Sequence, residues 1–127
     1  MNRNYSENES SSELSFSFLN NNKNVTSDSL SLTINESLGK ILNTEHVNSH
    51  KKEINHKHGR LNFACPYCGD SHKDTWKKRG NIYLDGYYFK CYNCGKYRKL
   101  EEFFKDFNVF LNAEESMFIK ENEVLYE

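Results

Sequence analysis

The chain has 127 residues, of which 28% are charged and 36% hydrophobic, with a net charge of −1. This length has room for one modest domain and a tail. No apolar run approaches the roughly 18–20 residues that span a bilayer, and the polar, slightly acidic N-terminus is unlike a signal or transit peptide. We therefore expect a cytoplasmic protein without a membrane partner.

The charge is unevenly distributed along the chain. Residues 1–55 carry five basic and seven acidic side chains, whereas residues 56–99 carry ten basic and three acidic ones. Residues 100–127 carry two basic and eight acidic side chains, and nine of the eighteen aromatic residues lie in the middle block. A basic, aromatic block between acidic flanks indicates a polyanionic partner.

Residues 1–30 are rich in Ser, Asn and Glu. They contain too few apolar side chains to offset the entropy lost on ordering, which predicts a disordered tail. The alternation of Leu14, Phe16 and Phe18 leaves open a transient strand or a partner-binding motif within it.

A short helix and a polar linker are predicted over residues 31–59. Apolar residues at helical spacing predict the helix between Leu30 and Leu42, with Thr33 or Asn35 as its N-cap and Asn43-Thr44 at its end. The apolar positions are Ile34, Leu38, Ile41 and Leu42. The histidines are expected on a solvated surface rather than as metal ligands; they are His46, His50, His56, His58 and His72.

Residues 60–110 have the pattern of an antiparallel sheet followed by a helix. Leu61–Cys65 is a predicted strand, and Asp85-Gly86 between two aromatic runs predicts a hairpin with a two-residue type I′ turn. Apolar spacing predicts a helix over Leu100–Phe107, and residues 111–127 form a predicted acidic helix or tail in which Asn112 caps Ala113–Glu121.

Four cysteines occur as two C-x-x-C-G motifs, Cys65-Pro-Tyr-Cys68-Gly and Cys91-Tyr-Asn-Cys94-Gly. Four thiolates complete a tetrahedral shell around Zn²⁺ and leave no open position, which is typical of a structural site. The sequence therefore predicts a zinc ribbon, a small α+β fold in which an antiparallel sheet carries a four-cysteine zinc site between short helices. An iron site or two disulfides remain open alternatives.

The hairpin register predicts two different faces. Leu84 lies opposite Tyr87 and Ile82 opposite Phe89, so these four form the core-facing side. The opposite side carries Asn81, Tyr83, Tyr88 and Lys90. Basic side chains between aromatic ones are typical of a surface that binds single-stranded nucleic acid, although this face is also suited to packing beneath a helix.

Residues 61–107 resemble the zinc-binding domain of DNA primases, most closely the T-even-phage type. The resemblance rests on Cys65-Pro-Tyr-Cys68-Gly-Asp-Ser, Asp74, Arg79-Gly80 before an aromatic strand, and Cys91-Tyr-Asn-Cys94. It implies a module that binds single-stranded template DNA during primer initiation, in the host cytoplasm if viral. The implied partners are a primase catalytic domain and a replicative helicase.

The chain departs from this family in one respect, because nothing after residue 107 is typical of the acidic, metal-binding catalytic domain. No nucleophile–base pair or phosphate-binding loop is visible either. We therefore expect no activity from this chain alone, and a protein-interaction module of a replication or transcription assembly is the alternative.

Three types of DNA contact are expected of the candidate residues. Lys77, Lys78, Arg79 and Lys90 would contact phosphates. Trp76, Tyr83 and Tyr88 would stack on bases. Asp70, Ser71 and Asn81 would hydrogen-bond base edges.

Overall fold

The computed structural model describes residues 25–71 and 73–123. They form a small α+β fold with three α-helices, one turn of 3₁₀ helix and a five-stranded antiparallel sheet whose strands lie in chain order. The helices are α1 (Ser27–Glu45), α2 (Leu100–Asp106) and α3 (Ala113–Asn122), and the 3₁₀ turn is Ser49–Lys52. The strands are β1 (Asn55–Lys57), β2 (Arg60–Phe63), β3 (Gly80–Tyr83), β4 (Tyr88–Cys91) and β5 (Tyr97–Lys99). Within these ranges, no helix is both long and apolar enough to cross a bilayer.

Helix α1 is longer than its apolar pattern predicts. It begins after Thr26, whose side chain accepts a hydrogen bond from the amide of Ser29, while the Thr26 amide donates to the hydroxyl of Ser29. The predicted caps Thr33 and Asn35 are therefore wrong, since both lie inside the helix. Residues 1–24 of the predicted tail, including the alternation at 14–18, lie outside the described residues. The prediction of disorder is wrong for the end of that tail, because α1 begins at Ser27 and Leu30 is buried in the core.

The predicted linker before residue 60 contains an additional strand. β1 pairs with β2 through a tight turn at His58-Gly59, where Gly59 has a φ of 75°. Sequence patterning misses β1 because its side chains are polar and exposed, and an edge strand has no buried side to impose alternation. The sequence pattern does not indicate strand β5 either, which forms the other edge of the sheet.

The predicted register of the β3–β4 hairpin is confirmed, but its turn differs. Tyr83 pairs with Tyr88 and Ile82 with Phe89. The connection is a four-residue loop in which the Tyr87 amide donates to the Tyr83 carbonyl, and the positive φ of 55° is at Tyr87 rather than at Asp85 and Gly86. A tertiary contact favours this loop, because the Tyr87 carbonyl also accepts from the amide of Leu100.

The core lies between one face of the sheet and the three helices. It joins the apolar side of α1 to Phe63, Ile82 and Phe89 of the sheet, together with side chains of α2 and α3. The helical prediction for Leu100–Phe107 is confirmed to within one residue, and α3 has the predicted Asn112 cap. We call the helix-facing side of the sheet the inner face.

A close backbone approach explains the glycine that begins β3. A Cβ at Gly80 would lie 3.0 Å from the carbonyl oxygen of Phe63 and 3.2 Å from Cα of Cys65, whereas a Cβ at Gly39 in α1 meets nothing within 4 Å. We expect Gly80→Ala to destabilise the fold by about 1–3 kcal/mol through overpacking. Gly39→Ala, the matched control, should stabilise it by about 0.5–1 kcal/mol. Denaturant unfolding measures both, and equal effects of the two substitutions would contradict this account.

Among the four described histidines, one is buried, contrary to the prediction of a solvated surface for all five. His46 is 7% exposed at the end of α1, and its Nε2 lies 3.2 Å from the carbonyl oxygen of Ala64. Because a carbonyl only accepts, Nε2 carries the proton and donates it. Burial lowers the pKa of His46, the positive charge of Lys51 adds to this, and the hydrogen bond to Ala64 opposes it. His50 is half-buried, His56 and His58 are exposed, and His72 is outside the described residues.

The lowered pKa predicts an acid-sensitive fold. As pH falls below about 6.5, the unfolded chain binds the His46 proton before the folded one does, so the free energy of unfolding decreases. We expect His46→Gln to flatten this pH dependence between about pH 7.5 and 5.5. His56→Gln, at an exposed position, is the control and should keep the wild-type slope. Unfolding curves across this range measure it, and an unchanged slope in His46→Gln would count against the assignment.

Candidate metal centre and outer face of the sheet

Each C-x-x-C-G motif forms the same tight turn, here called a knuckle. The first knuckle follows β2, and its Gly69 amide donates to the carbonyl of Cys65 over 2.9 Å. The second follows β4, where the Gly95 amide donates to Cys91 over 3.0 Å. Gly69 and Gly95 have φ values of 74° and 80°, a conformation that glycine adopts without steric cost. The turns therefore direct both thiols of each pair towards one point.

The two knuckles bring four sulfurs together. Sγ of Cys65 lies 4.0 Å from Sγ of Cys94, that of Cys68 lies 3.9 Å from Cys91, and all four lie within 4.8 Å of one another. Disulfide-bonded sulfurs would be about 2.05 Å apart, so the thiols are free. Four thiolates around a tetrahedral ion at about 2.3 Å would lie about 3.8 Å from each other. The cluster therefore has the geometry to hold one metal ion.

Amide donors point at the sulfurs of both knuckles. The Asn93 amide donates to Sγ of Cys91 over 3.2 Å, and the Asn93 side chain donates to Cys68 across the cluster. Burial raises the pKa of the Cys65 and Cys91 thiols. Burial also acts to raise the pKa of Cys68, but the hydrogen bonds from Asn93 and Asp70 outweigh it and the pKa falls below its ordinary value. A bound cation would offset the cost of ionising the two buried thiols.

A buried carboxylate fixes the first knuckle to the loop before β3. Asp70 is 2% exposed and accepts from the Arg79 amide over 2.7 Å and from Arg79 Nε over 3.0 Å. It also accepts from the Ser71 amide and, at 3.4 Å, from that of Cys65. Burial alone would raise the pKa of Asp70, but these donors reverse the effect and lower it. The buried Lys51 ammonium donates to the carbonyls of Gly69 and Ser71.

Tyr67, between the first two cysteines, links the metal centre to α2. Its ring packs on Phe89, Phe103 and Phe107, and its hydroxyl donates to the Asp106 carboxylate. Arg98 of β5 also binds Asp106 through two hydrogen bonds of 3.0 and 3.1 Å. The first knuckle is thereby tied to the core and to the last strand.

Strand pairing aligns two rows of side chains on the sheet face turned away from the helices, here called the outer face. The first row crosses all five strands and consists of Lys57, Arg60, Tyr83, Tyr88 and Lys99. The second row runs beside it and consists of Asn55, Asn62, Asn81, Lys90 and Tyr97. The three described helices contribute instead to the core on the inner face. The alternative that this face packs beneath one of them therefore does not apply to the described helices.

The aromatic side chains of the outer face contact one another. Tyr83 and Tyr88 stack with ring centroids 4.7 Å apart, and Tyr97 lies 5.7 Å from Tyr88. The hydroxyl of Tyr83 is 2.9 Å from that of Tyr92, a residue of the second knuckle that is 61% exposed. Lys90 lies in the neighbouring row, and its ammonium donates to the Gly95 carbonyl over 3.3 Å.

Two of the three predicted base-edge residues have internal roles. Asp70 is occupied by Arg79, as described above. Asn81 is 2% exposed, and its side chain donates to the Arg79 carbonyl over 3.2 Å and accepts from Asn62 and Arg60. The hydroxyl of the half-buried Ser71 accepts from the Asp74 amide. The polar side-chain atoms of Asp70, Ser71 and Asn81, predicted to contact DNA bases, are thus hydrogen-bonded to other groups of the protein.

The basic loop Lys73–Arg79 is less uniformly exposed than its sequence suggests. Lys78 forms an ion pair of 3.4 Å with Glu53, and Arg79 is paired with Asp70. Lys77 is exposed. Trp76 is 63% exposed, and its indole packs against His50 with ring centroids 3.4 Å apart and the ring planes tilted by 32°.

Several outer-face residues were missed from the sequence. Lys57, Lys99 and Tyr97 lie on the two unpredicted edge strands, and Arg60 precedes the predicted start of β2. The His58-Gly59 dipeptide was an available signal, since glycine between polar residues is common in hairpin turns. Comparison of the chain with protein-family models and with curated proteins finds no match.

Metal removal should loosen the fold, because the cysteine cluster connects two separate loops. We expect about one metal ion per chain. A chelator should lower the midpoint temperature of thermal unfolding and unfold the ends of β2 and β4 next to the cluster. Cys94→Ser should weaken metal retention without opening a core cavity, since Cys94 is exposed. Metal analysis and circular dichroism measure these effects. A metal-free protein with unchanged stability would contradict the role of the cluster.

Proposed function

We propose that the cysteine cluster binds one structural zinc ion and that the outer face of the sheet binds single-stranded DNA. Four thiolates in a closed tetrahedral arrangement are a common zinc ligand set and leave no position for a substrate. Iron accepts the same ligands, so the metal analysis described above distinguishes the two. Iron in place of zinc would overturn the first part of the proposal.

The row Lys57, Arg60, Tyr83, Tyr88 and Lys99 carries the second part. It places two stacked aromatic rings between basic side chains on a face that the described helices leave uncovered. The ten residues of the two rows include four basic side chains and no acidic one. Such a surface attracts phosphates and offers rings to bases, which is how proteins bind single strands.

The arrangement suggests a division of tasks within the site. Lys57, Lys90 and Lys99, with the exposed Lys77, are suited to phosphates. Tyr92 and Trp76 are strongly exposed and offer surface for a stacked base, and the stacked Tyr83–Tyr88 pair offers a second place at the centre of the face. Asp70 and Asn81 act from beneath by fixing the loop and strand that carry these groups.

The resemblance to primase zinc-binding domains gives this activity a context. The Cys-Pro-Tyr-Cys-Gly-Asp-Ser stretch and Arg79-Gly80 are adjacent through the Asp70–Arg79 bonds, so the matched residues form one unit. We propose that the module binds template DNA for a primase catalytic domain and works beside a replicative helicase. The alternative is a protein-interaction module, which would co-purify with a partner and bind no DNA.

Fluorescence anisotropy with a labelled single strand tests DNA binding. Tyr88→Ala and Tyr92→Ala should each weaken binding by about 1–3 kcal/mol through lost stacking. Lys90→Ala should weaken it and reduce the slope of log K against log salt by about 0.7. Phe110→Ala and Lys120→Ala remove exposed residues near and on α3 and should change neither quantity.

Thermal unfolding of each variant separates lost contacts from lost folding. Wild-type affinity that is absent or insensitive to salt would overturn the DNA-binding proposal. Outer-face variants that bind as well as the α3-side controls would do the same.

A further inference from the structure

Arg60 has a central position on the outer face. It pairs across strands with Lys57 on one side and with Tyr83 on the other, and its side chain is half-buried. Directly paired side chains have Cβ atoms about 4.5–5.5 Å apart, so the Arg60 side chain starts next to Tyr83, and its guanidinium reaches Asn81 in the second row. A base that joins this stack would come within its reach.

The partner of Arg60 differs from those of the other arginines that the structure describes. Arg79 is paired with Asp70, and Arg98 with Glu102 and Asp106. Arg60 instead donates through Nη1 to the amide oxygen of Asn81. Within residues 25–71 and 73–123, no carboxylate lies within 4.0 Å of its guanidinium. Among the described residues, the Arg60 charge is therefore held in place by a neutral amide and not by a carboxylate.

The anchor of Arg60 is itself fixed. Asn81 is 2% exposed, and its amide oxygen also accepts from Asn62 over 3.1 Å. Asn62 in turn donates to the carbonyl of Lys78 over 2.9 Å. This network orients one nitrogen of the guanidinium and leaves its Nε–Nη2 edge without a protein partner among the described residues. That edge presents two parallel N–H groups.

We propose that Arg60 is a specificity-determining residue that recognises guanine in the bound strand. Guanine presents two acceptors, O6 and N7, on one edge, and the arginine fork matches them. Unpaired bases expose this edge to proteins. Lys57 and Lys99 lie at the two ends of the row, where they are placed for phosphates. Arg60 lies between them and pairs with Tyr83, where a base would stack. This inference rests on the proposed binding of single-stranded DNA.

The test compares single strands of about a dozen nucleotides, within the range of sites that such proteins cover. Each is thymidine throughout except for one central position, which holds guanine, hypoxanthine, 7-deazaguanine or thymine. Hypoxanthine keeps both O6 and N7, whereas 7-deazaguanine lacks N7. Wild type should bind the guanine and hypoxanthine strands about 5- to 150-fold more tightly than the other two, the range of one bidentate contact.

Two variants separate base recognition from phosphate binding. Arg60→Lys keeps the charge but loses the fork, and should reduce this discrimination while the thymidine strand still binds. Lys57→Ala should lower the affinity for all four DNA strands by a common factor and leave the discrimination between bases intact. Circular dichroism verifies that both variants fold.

Three results would overturn the assignment. Equal binding of all four strands by wild type would remove guanine recognition and leave DNA binding in place. An equal loss of affinity for all four DNA strands in Arg60→Lys would indicate that Arg60 contacts phosphate and not a base. Binding of none of the strands would overturn the proposed function together with this inference.

Discussion

The convergence of four thiols on one point is the constraint on which the rest of the structure depends. One pair follows β2 and the other follows β4, so the cluster joins two loops that are separated along the chain. The described core is small, and a metal ion bound there would add folding free energy that apolar burial alone supplies only in part. The close approach of Gly80 to Phe63 and Cys65 brings β3 directly beneath the first knuckle.

The buried polar groups around the cluster extend this constraint to the sheet. Asp70 binds the backbone and side chain of Arg79, and Lys51 holds two carbonyls of the first knuckle. Buried charges of this kind are tolerated because each is paired or hydrogen-bonded. The loop between the first knuckle and β3 is consequently fixed at Arg79, where it enters β3. The hydrogen bonds of Asn62 and Asn81, which hold Arg60, follow directly in that strand and its neighbour.

The two faces of the sheet differ in the side chains that they carry. The inner face is filled by aromatic and aliphatic side chains against α1, α2 and α3. The outer face presents the two cross-strand rows with their basic residues and tyrosines, and none of the three described helices packs on it. The acidic residues after residue 99 include those on α2 and α3, whose apolar sides pack on the inner face. Six of the eight acidic residues after residue 99 thus lie on α2 and α3, and four of the ten basic residues between 56 and 99 lie on the outer face.

The sequence by itself determined the cysteine pairs, the β3–β4 register and the two C-terminal helices, because each depends on short-range spacing, alternation or periodicity. Only the tertiary structure decided the edge strands β1 and β5, which are short and not fully buried, so no local pattern marks them. It also decided that Asp70 and Asn81 bind protein atoms and that His46 is buried. Polar side chains look alike in sequence whether they face solvent or a distant backbone group, and the folded chain alone chooses their partners.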